Sequence, residues 1–289
     1  MPVRFGYNPQ TAANNTFQKE GFEEKAQENA LREFTTYASL LKANKVEVVI
    51  AEDTEVPYTP DSIFPNNWFS THEDGTLVLY PMFAVNRRNE RKSEFLESIR
   101  RNFEVKRLID LTWWESENQF LEGTGSMIFD RENKIAYAGR SPRTCEPVIA
   151  DFCKQMGYTA VIFDAYDQNG ALIYHTNVMM SVGTKFAVIC LSAITDEQQR
   201  QAVVESLERT GKKVIDISFE QMNNYAGNML ELKTSDGKPI LVMSSTARKS
   251  LTPEQAKELS SYYKLLSPGL EYIENNGGGS ARCMLAEIY

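Results

Sequence analysis

The sequence predicts an α/β fold in which one ββαβ unit recurs five times around a pseudo-fivefold axis. Amphipathic helices recur at a spacing of about 57 residues, and such self-similarity is typical of repeat architectures. A hairpin precedes the later helices and a single strand follows each one, which indicates the same unit each time. A ring of five such units, a five-bladed α/β propeller, has no open sheet edge if its termini pair.

Five segments are predicted as helices because each carries apolar residues at three-to-four spacing. Thr195-Asp196 and Thr252-Pro253 mark two of the helix starts, since these residue types are favoured at the first positions of a helix. The predicted helices cover residues 23–44, 88–102, 144–156, 196–209 and 253–265.

One strand is predicted after each helix, and a hairpin before helices two to five. The predicted single strands are 46–50, 103–108, 159–163, 213–217 and 270–273. The hairpin turns are Asp74-Gly75, Arg131 to Asn133, Gly183-Thr184 and Asp236-Gly237, all with turn-forming residues. The fifth unit takes its first strand from residues 283–288 and its second from near residues 3–5. The whole chain, 1–289, is thus predicted as a single domain closed through its termini.

Composition and charge exclude several classes of protein. The formal net charge of −8 argues against a nucleic-acid or anionic-membrane surface. No apolar run approaches the ~20 residues of a membrane helix, and the first residues lack a secretory pattern. Four cysteines without a CxxC pair and two histidines indicate neither a disulfide scaffold nor a metal site. We expect a reduced, cytoplasmic protein with a small-molecule substrate, and a homo-oligomer is compatible with the sequence.

The first strand of each unit opens with a comparable segment, and a ring would bring these segments together near its axis. Small or polar residues stand there, which suits a binding or catalytic site better than a core. The alternative is that Asn is simply favoured at strand ends, because its side chain bonds to local backbone. The middle positions are Asn67, Gly125, Asn177, Asn228 and Cys283, flanked by Glu122 and His175.

Cys283 follows a Gly277-Gly278-Gly279 loop, whose glycines allow backbone to approach a ligand closely. A thiol after such a loop is a candidate nucleophile, and His175 on another strand is its candidate acid–base partner. The other three cysteines are interpreted as structural. His72, at a hairpin tip, is interpreted as a surface residue.

Arg87 and Arg88 stand at the start of a predicted helix, which is the unfavourable end for cations. This placement favours a functional role, such as holding a substrate carboxylate in a bidentate pair. A solvated basic cluster is the alternative.

Four segments together resemble the guanidino-group-modifying enzymes, the pentein superfamily. They are Phe-Pro-Asn-Asn-Trp at 64–68, Leu121-Glu122-Gly123, His175-Thr176-Asn177, and the glycine-rich stretch that ends in Cys283. The segments at 5–18 and 86–90 are similar to the arginine-deiminase-related branch that includes citrulline ureidase. The resemblance covers essentially the full chain, and it implies the five-bladed propeller and no cofactor.

The resemblance also implies roles for individual residues. Cys283 would be the nucleophile, His175 the acid–base group and Glu122 its acidic partner. By similarity to dimethylarginine hydrolases, Asp61 would lie on the substrate, and Arg87 and Arg143 would hold its carboxylate.

The chain departs from the arginine deiminases at Asn67 and Asn177, where those enzymes carry Asp. Carboxylates offset the desolvation of a buried guanidinium, whereas a neutral ureido group needs one donor and one acceptor, which Asn supplies. The two asparagines therefore favour a citrulline hydrolase that forms ornithine, ammonia and carbon dioxide through an S-carbamoyl-cysteine.

Three alternatives stay open at this point. A deiminase, a dimethylaminohydrolase or an amidinotransferase would use the same residues on a guanidine. A non-catalytic propeller that only binds a ligand would lack one of the three catalytic residue types, and all three are present. The sequence does not decide whether the segment from Gly6 to Gln18 covers the site.

Overall fold

Twelve short strands form four separate three-stranded sheets in the computed structural model, which describes residues 5–19 and 25–289. In each sheet the middle strand pairs antiparallel with the strand before it and parallel with the strand after it. The sheets are β1 Phe69–Thr71, β2 Thr76–Leu79 and β3 Arg107–Asp110; β4 Ile128–Asp130, β5 Ile135–Gly139 and β6 Thr159–Phe163; β7 Met180–Val182, β8 Phe186–Ile189 and β9 Lys213–Asp216; β10 Leu230–Lys233, β11 Pro239–Val242 and β12 Lys264–Leu266.

Each sheet has one longer helix between its second and third strands, so the ββαβ order is confirmed in four units. The helices are α1 Pro9–Ala12, α2 Ala26–Ala43, α3 Val85–Arg88, α4 Ser93–Asn102, α5 Gly123–Ser126, α6 Glu146–Met156, α7 Thr176–Met179, α8 Glu197–Arg209, α9 Phe219–Asn223, α10 Ser245–Ser250, α11 Pro253–Tyr262 and α12 Glu271–Gly277. Capping side chains begin α8 and α11, where Asp196 and Thr252 accept from the backbone of Gln199 and Gln255. The predicted start of the first helix, at residue 23, lies outside the described residues.

The strand predicted at 270–273 is wrong, because these residues begin helix α12. The third strand of the unit is β12, two residues after α11 ends. Glu33 on α2 explains the helix, since its carboxylate accepts the backbone N–H of Tyr272 and of Ile273 at 3.0 Å each. A carboxylate that accepts the free N–H groups of a first turn stabilises a helix there.

The fifth sheet predicted from the termini is not formed by the described residues. Residues 46–50 and 284–288 are irregular, and residues 3 and 4 lie outside the described part of the chain. Thr71 of β1 nevertheless donates its hydroxyl to the carbonyl of Glu287 at 2.8 Å, which holds the C-terminal segment beside the first sheet.

Five short turns converge at the centre of the fold, and they contain the positions that we expected at strand starts. Residues 65–67, 123–126 and 176–179 form single helical turns, while 226–229 and 281–284 lie in or beside turns, so none of the five positions is in a strand. Hydrogen bonds join each turn to the next. Thr124 Oγ1 donates to the Asn66 carbonyl (3.2 Å), Thr176 Oγ1 to the Ser126 carbonyl (2.6 Å) and Asn228 Nδ2 to the Asn177 carbonyl (3.1 Å). Arg282 N donates to Asn228 Oδ1 (3.0 Å). The fifth bond runs from Asn66 Nδ2 to the Cys283 carbonyl (2.7 Å), in the amide orientation that gives both polar atoms of Asn66 a partner.

Apolar side chains fill the space between the sheets and their helices. Phe152 of α6 is fully buried and stacks on Phe129 of β4 with ring centroids 5.4 Å apart. Within the described residues, no helix has both the length and the apolar character to cross a membrane.

His72 is not a surface residue, which corrects the prediction from its position at a hairpin tip. Only 2% of it is exposed, and its ring packs against Phe129, Phe152 and Tyr158. Its Nε2 atom lies 2.9 Å from the hydroxyl of Ser70. Burial, with a smaller contribution from Arg131, lowers the pKa of His72 to about 3.

The buried His72 predicts a loss of stability on acidification. The unfolded chain takes up a proton near the ordinary pKa of about 6.5, whereas the folded protein does not, so this contribution is present above pH 6.5 and is lost as the pH falls toward 3. Between pH 7.5 and 5.5 wild type should lose about 1 kcal/mol of unfolding free energy more than His72→Gln. Urea denaturation at both pH values measures the difference, and parallel losses in the two proteins would contradict the assignment.

Candidate active site

A narrow cavity of about 20 Å³ lies beside the central turns, with Asp61, Asn67, Arg87, Arg143, His175 and Cys283 in its wall. The three other residues predicted for the site touch this wall, because Glu122 bonds to His175 and both Asn177 and Asn228 bond to Cys283. The structure therefore brings all nine predicted residues together.

His175 and Glu122 form a buried pair, with His175 Nε2 2.7 Å from Glu122 Oε2. Burial lowers the pKa of His175 to about 4, although the bond to Glu122 opposes this. Burial raises the pKa of Glu122, but Arg143 and His175 outweigh it and lower that pKa to about 2. At neutral pH the pair is therefore a neutral imidazole beside a carboxylate.

This charge state fixes the tautomer of His175. An ionised carboxylate only accepts hydrogen bonds, so the ring carries its proton on Nε2, facing Glu122. The backbone N–H of Phe83 donates to the other Glu122 oxygen at 3.0 Å and holds the carboxylate in place. Nδ1 is thus the basic nitrogen, and a Cβ atom at Gly125 would lie 2.9 Å from it, so only glycine leaves room there.

Two side-chain amides donate hydrogen bonds to Cys283. Asn228 Nδ2 and Asn177 Nδ2 donate to its sulfur at 3.1 and 3.3 Å. Asn177 Oδ1 is buried without a hydrogen-bond partner, and Asn177 lies behind the cavity wall, in contact with Cys283. The thiol is buried, with 7% of the residue exposed.

Arg87 lies at the end of the short helix α3 and not at the start of α4, so the argument from an unfavourable helix end does not apply. Its guanidinium is buried and makes a bidentate pair with Glu90, at 2.8 and 3.0 Å. Its Nη1 atom donates to Asn67 Oδ1 at 2.7 Å. Burial lowers the pKa of Arg87, but Glu90 outweighs this and raises it above the ordinary value. Asn67 therefore keeps its Nδ2 donor for a ligand, while one of the two lone pairs of its Oδ1 atom is already used.

Arg143 and Asp61 are bound to an N-terminal segment that we define as the strap, residues 8–18. Arg143 Nη2 donates to the Thr11 carbonyl at 2.8 Å, and Arg143 Nη1 is 3.5 Å from Glu122 Oε2. Asp61 Oδ2 accepts from Asn8 Nδ2 and Thr11 Oγ1 at 2.7 and 3.0 Å, while Asp61 Oδ1 has no partner.

The strap also touches the glycine-rich loop, since Asn15 and Gln18 donate to the Gly278 and Gly277 carbonyls. At Gly278, φ is +65° and a Cβ would lie 2.5 Å from Asn15 Nδ2, so the contact requires glycine. The strap thus forms part of the cavity wall through Thr11, Asn15 and Gln18, a placement that the sequence left undecided. Tyr174, whose ring lies 5.0 Å from the Arg143 guanidinium carbon, and Glu90 were missed, because no local pattern marks them.

No group of three or more His, Cys, Asp or Glu side chains suited to a metal ion occurs in residues 5–19 and 25–289. The chemistry available in the cavity is that of a thiol, a neutral imidazole, a carboxylate and several amides.

Solved structures share the fold at low sequence identity. ArgZ, an arginine dihydrolase from the ornithine–ammonia cycle in cyanobacteria, aligns over 100% of this chain and 40% of its own, with 16% identity and a TM-score of 0.77. Unliganded AgrE aligns over 100% of this chain and 39% of its own, with 17% identity and a TM-score of 0.75. A dimethylarginine dimethylaminohydrolase in adduct with S-methyl-L-thiocitrulline aligns over 89% and 87%, with 15% identity and a TM-score of 0.64.

The chain thus spans well under half of the full ArgZ and AgrE chains, but it aligns with 94% of the isolated N-terminal domain of ArgZ. No curated protein sequence matches it significantly.

A family model described as N,N dimethylarginine dimethylhydrolase, eukaryotic, matches residues 1–289, the full chain. The chain therefore belongs to this family within the pentein superfamily, and its homologues are hydrolases that act on guanidino carbon–nitrogen bonds.

Proposed function

We propose that the chain is a cysteine-dependent hydrolase of an arginine-derived amino acid, with citrulline as its substrate. The observation that carries the proposal is the cavity in which the Cys283 thiol and the His175–Glu122 pair stand together. A nucleophile beside an acid–base group that is itself oriented by a third residue is the general arrangement for covalent catalysis.

In the proposed reaction His175 Nδ1 takes the thiol proton and the sulfur attacks the ureido carbon. The bond from this carbon to the side-chain nitrogen of ornithine breaks, and that nitrogen receives the proton from His175. Water, deprotonated by His175, then attacks the S-carbamoyl group and frees the thiol. The released carbamate divides into ammonia and carbon dioxide, so one water is consumed for each citrulline.

The side-chain amides of Asn67 and Asn177 favour a substrate with a ureido group over one with a guanidinium. Asn67 has its Nδ2 donor to offer, since Arg87 already donates to its oxygen, and Asn177 has an unpaired acceptor. A ureido group presents one carbonyl acceptor and several N–H donors, so it satisfies both amides. A guanidinium has donors only and would leave the Asn67 amide without an acceptor.

Arginine is the second candidate, and one observation favours it. Asp61 Oδ1 is a buried carboxylate oxygen without a partner in the cavity wall, which suits a cationic group on the ligand. AgrE has been solved with L-arginine, and ArgZ is an arginine dihydrolase.

We also propose that residues 1–289 form a single domain in which the termini complete a fifth unit. The fifth central turn and the bond from Thr71 to Glu287 support this closure. A small-molecule substrate and a location in the cytoplasm belong to the same proposal.

Removal of the thiol tests the covalent mechanism. Cys283→Ala should lose at least about a thousandfold in kcat, because the nucleophile is absent. Cys153→Ala, in which a half-buried cysteine of α6 changes, is the matched control and should stay near wild type. A kcat within tenfold of wild type in Cys283→Ala, or an intermediate trapped by mass spectrometry on another cysteine, would reject the mechanism.

Exchange of Asn177 or Asn67 for Asp, which replaces the side-chain NH2 group with an oxygen, tests whether the site prefers a neutral or a charged group on the substrate. Wild type should prefer citrulline to arginine and to methylated arginines in kcat/KM. Asn177→Asp should reduce kcat/KM for citrulline by about ten- to a hundredfold, because a buried carboxylate without a cation faces a neutral group. Asn67→Asp should reduce it less, since Arg87 donates to the retained Oδ1 atom at 2.7 Å and so places a cation beside the new carboxylate.

The same kinetics distinguish the candidate substrates. Faster turnover of arginine than of citrulline in wild type would reject the ureido assignment and leave the arginine candidate. Turnover of only a methylated guanidine would keep the hydrolase and reject the interpretation of Asn67 and Asn177.

The two arginines are expected to differ in their effect on substrate binding. The Arg87 charge is balanced by a bidentate carboxylate, whereas Arg143 has one carboxylate oxygen at 3.5 Å, which it shares with His175. Arg143→Gln should raise KM for the amino acid at least tenfold more than KM for its decarboxylated analogue. Arg87→Gln should change both alike, and the reverse pattern would identify Arg87 as the carboxylate residue.

A further inference from the structure

Asn228 contacts the Cys283 sulfur and neighbouring backbone groups, and it does not line the cavity in which a substrate would bind. Its Oδ1 atom accepts the backbone N–H of Arg282 at 3.0 Å, and this bond fixes which end of the amide faces the sulfur. Its Nδ2 atom must then point at Cys283 Sγ, at 3.1 Å, and at the Asn177 carbonyl, also at 3.1 Å. Asn228 is 2% exposed and is not in the wall of the cavity.

The sulfur therefore receives two N–H bonds from neutral donors, one from Asn228 and one from Asn177. A thiolate is a much better acceptor than a thiol, since bonds to charged groups are about twice as strong as neutral ones. Two fixed donors at one sulfur thus favour its ionised form, even though no cationic side chain bonds to it in the described residues.

We propose that Asn228 is a catalytic residue that stabilises the Cys283 thiolate through its Nδ2 donor, with Asn177 as the second donor. The inference rests on the proposed function only in taking Cys283 as the nucleophile. When the thiol proton moves to His175, the negative charge forms on a sulfur that already has its hydrogen-bond donors in place. No reorganisation of solvent is then required, which is the advantage of a preorganised site.

The tyrosines and the histidine near the sulfur do not supply this stabilisation. Burial raises the pKa of Tyr37, Tyr174 and Tyr225 above the ordinary value, so these groups stay neutral, and the His175 imidazole is neutral above about pH 4. The charged groups near Cys283 are Arg282, whose guanidinium donates to Thr124, and, in the cavity wall, Asp61, Arg87 and Arg143.

The test uses Asn228→Asp, which keeps the size of the side chain and the acceptor for the Arg282 N–H but replaces the donor with a carboxylate oxygen. The rate of iodoacetamide alkylation at Cys283, followed by mass spectrometry without substrate, is measured from pH 5 to 10. We expect the midpoint of this pH profile to rise by at least one pH unit in Asn228→Asp, because a like charge replaces a donor. Asn228→Ala, which loses the donor without adding charge, should rise by about half as much.

Asn223→Asp is the matched control, because it makes the same charge change at an exposed residue of α9, and its midpoint should equal that of wild type. If Asn228 had only a structural role, the midpoint in Asn228→Ala would lie at least as far from the wild-type midpoint as that in Asn228→Asp. That order, or an unchanged midpoint in either folded variant, would overturn the inference. If Asn228→Asp does not fold by circular dichroism, the shift in Asn228→Ala alone decides.

Alkylation does not require turnover, so the two proposals fail separately. A shifted midpoint in a protein that hydrolyses no ureido or guanidino compound would support the role of Asn228 and reject the proposed function. An unshifted midpoint in an active hydrolase would do the reverse.

Discussion

The closed ring of hydrogen bonds between the five central turns is the constraint on which the rest of the structure depends. Each turn contributes one bond to its neighbour, and the groups that make these bonds are buried. A break would leave a buried polar atom unpaired on each side, at a cost of about 1–3 kcal/mol. Each turn and the residues beside it are therefore placed by contacts outside their own unit.

The ring explains how residues far apart in the chain meet in one cavity. Glu122, His175 and Cys283 come from three different turns, and each belongs to or directly precedes a segment held by its neighbours. Gly125 shows how close the turns are, since a single added carbon would collide with Asn67 and His175. The repeat thus supplies a scaffold in which side chains can change while the backbone of the turns is retained.

Where a pattern was local, the sequence predicted the structure well. Strand β6 and helices α6 and α8 lie within two residues of their predicted bounds, because their periodicity and caps are local signals. Two of the failures involve distant partners. Helix α12 begins under a carboxylate from α2, and His72 is buried by aromatic rings of the next unit. The Arg87–Glu90 pair could not be distinguished from a substrate-binding arginine, because only the fold shows that both side chains point inward.

The small volume of the cavity has a consequence for how the protein would exchange small molecules. A volume of about 20 Å³ holds roughly one water molecule, while ligand pockets of enzymes typically measure about 300–1,000 Å³. The described cavity is therefore too small for an amino acid, so binding requires it to widen, and the contacts of Thr11, Asn14 and Gln18 hold the strap against it. Part of the free energy of association is then consumed in this opening, which lowers the observed affinity. A compound that resembles only the reacting group of the substrate would bind weakly. A compound that also replaces the polar contacts of the strap would bind more tightly and dissociate more slowly.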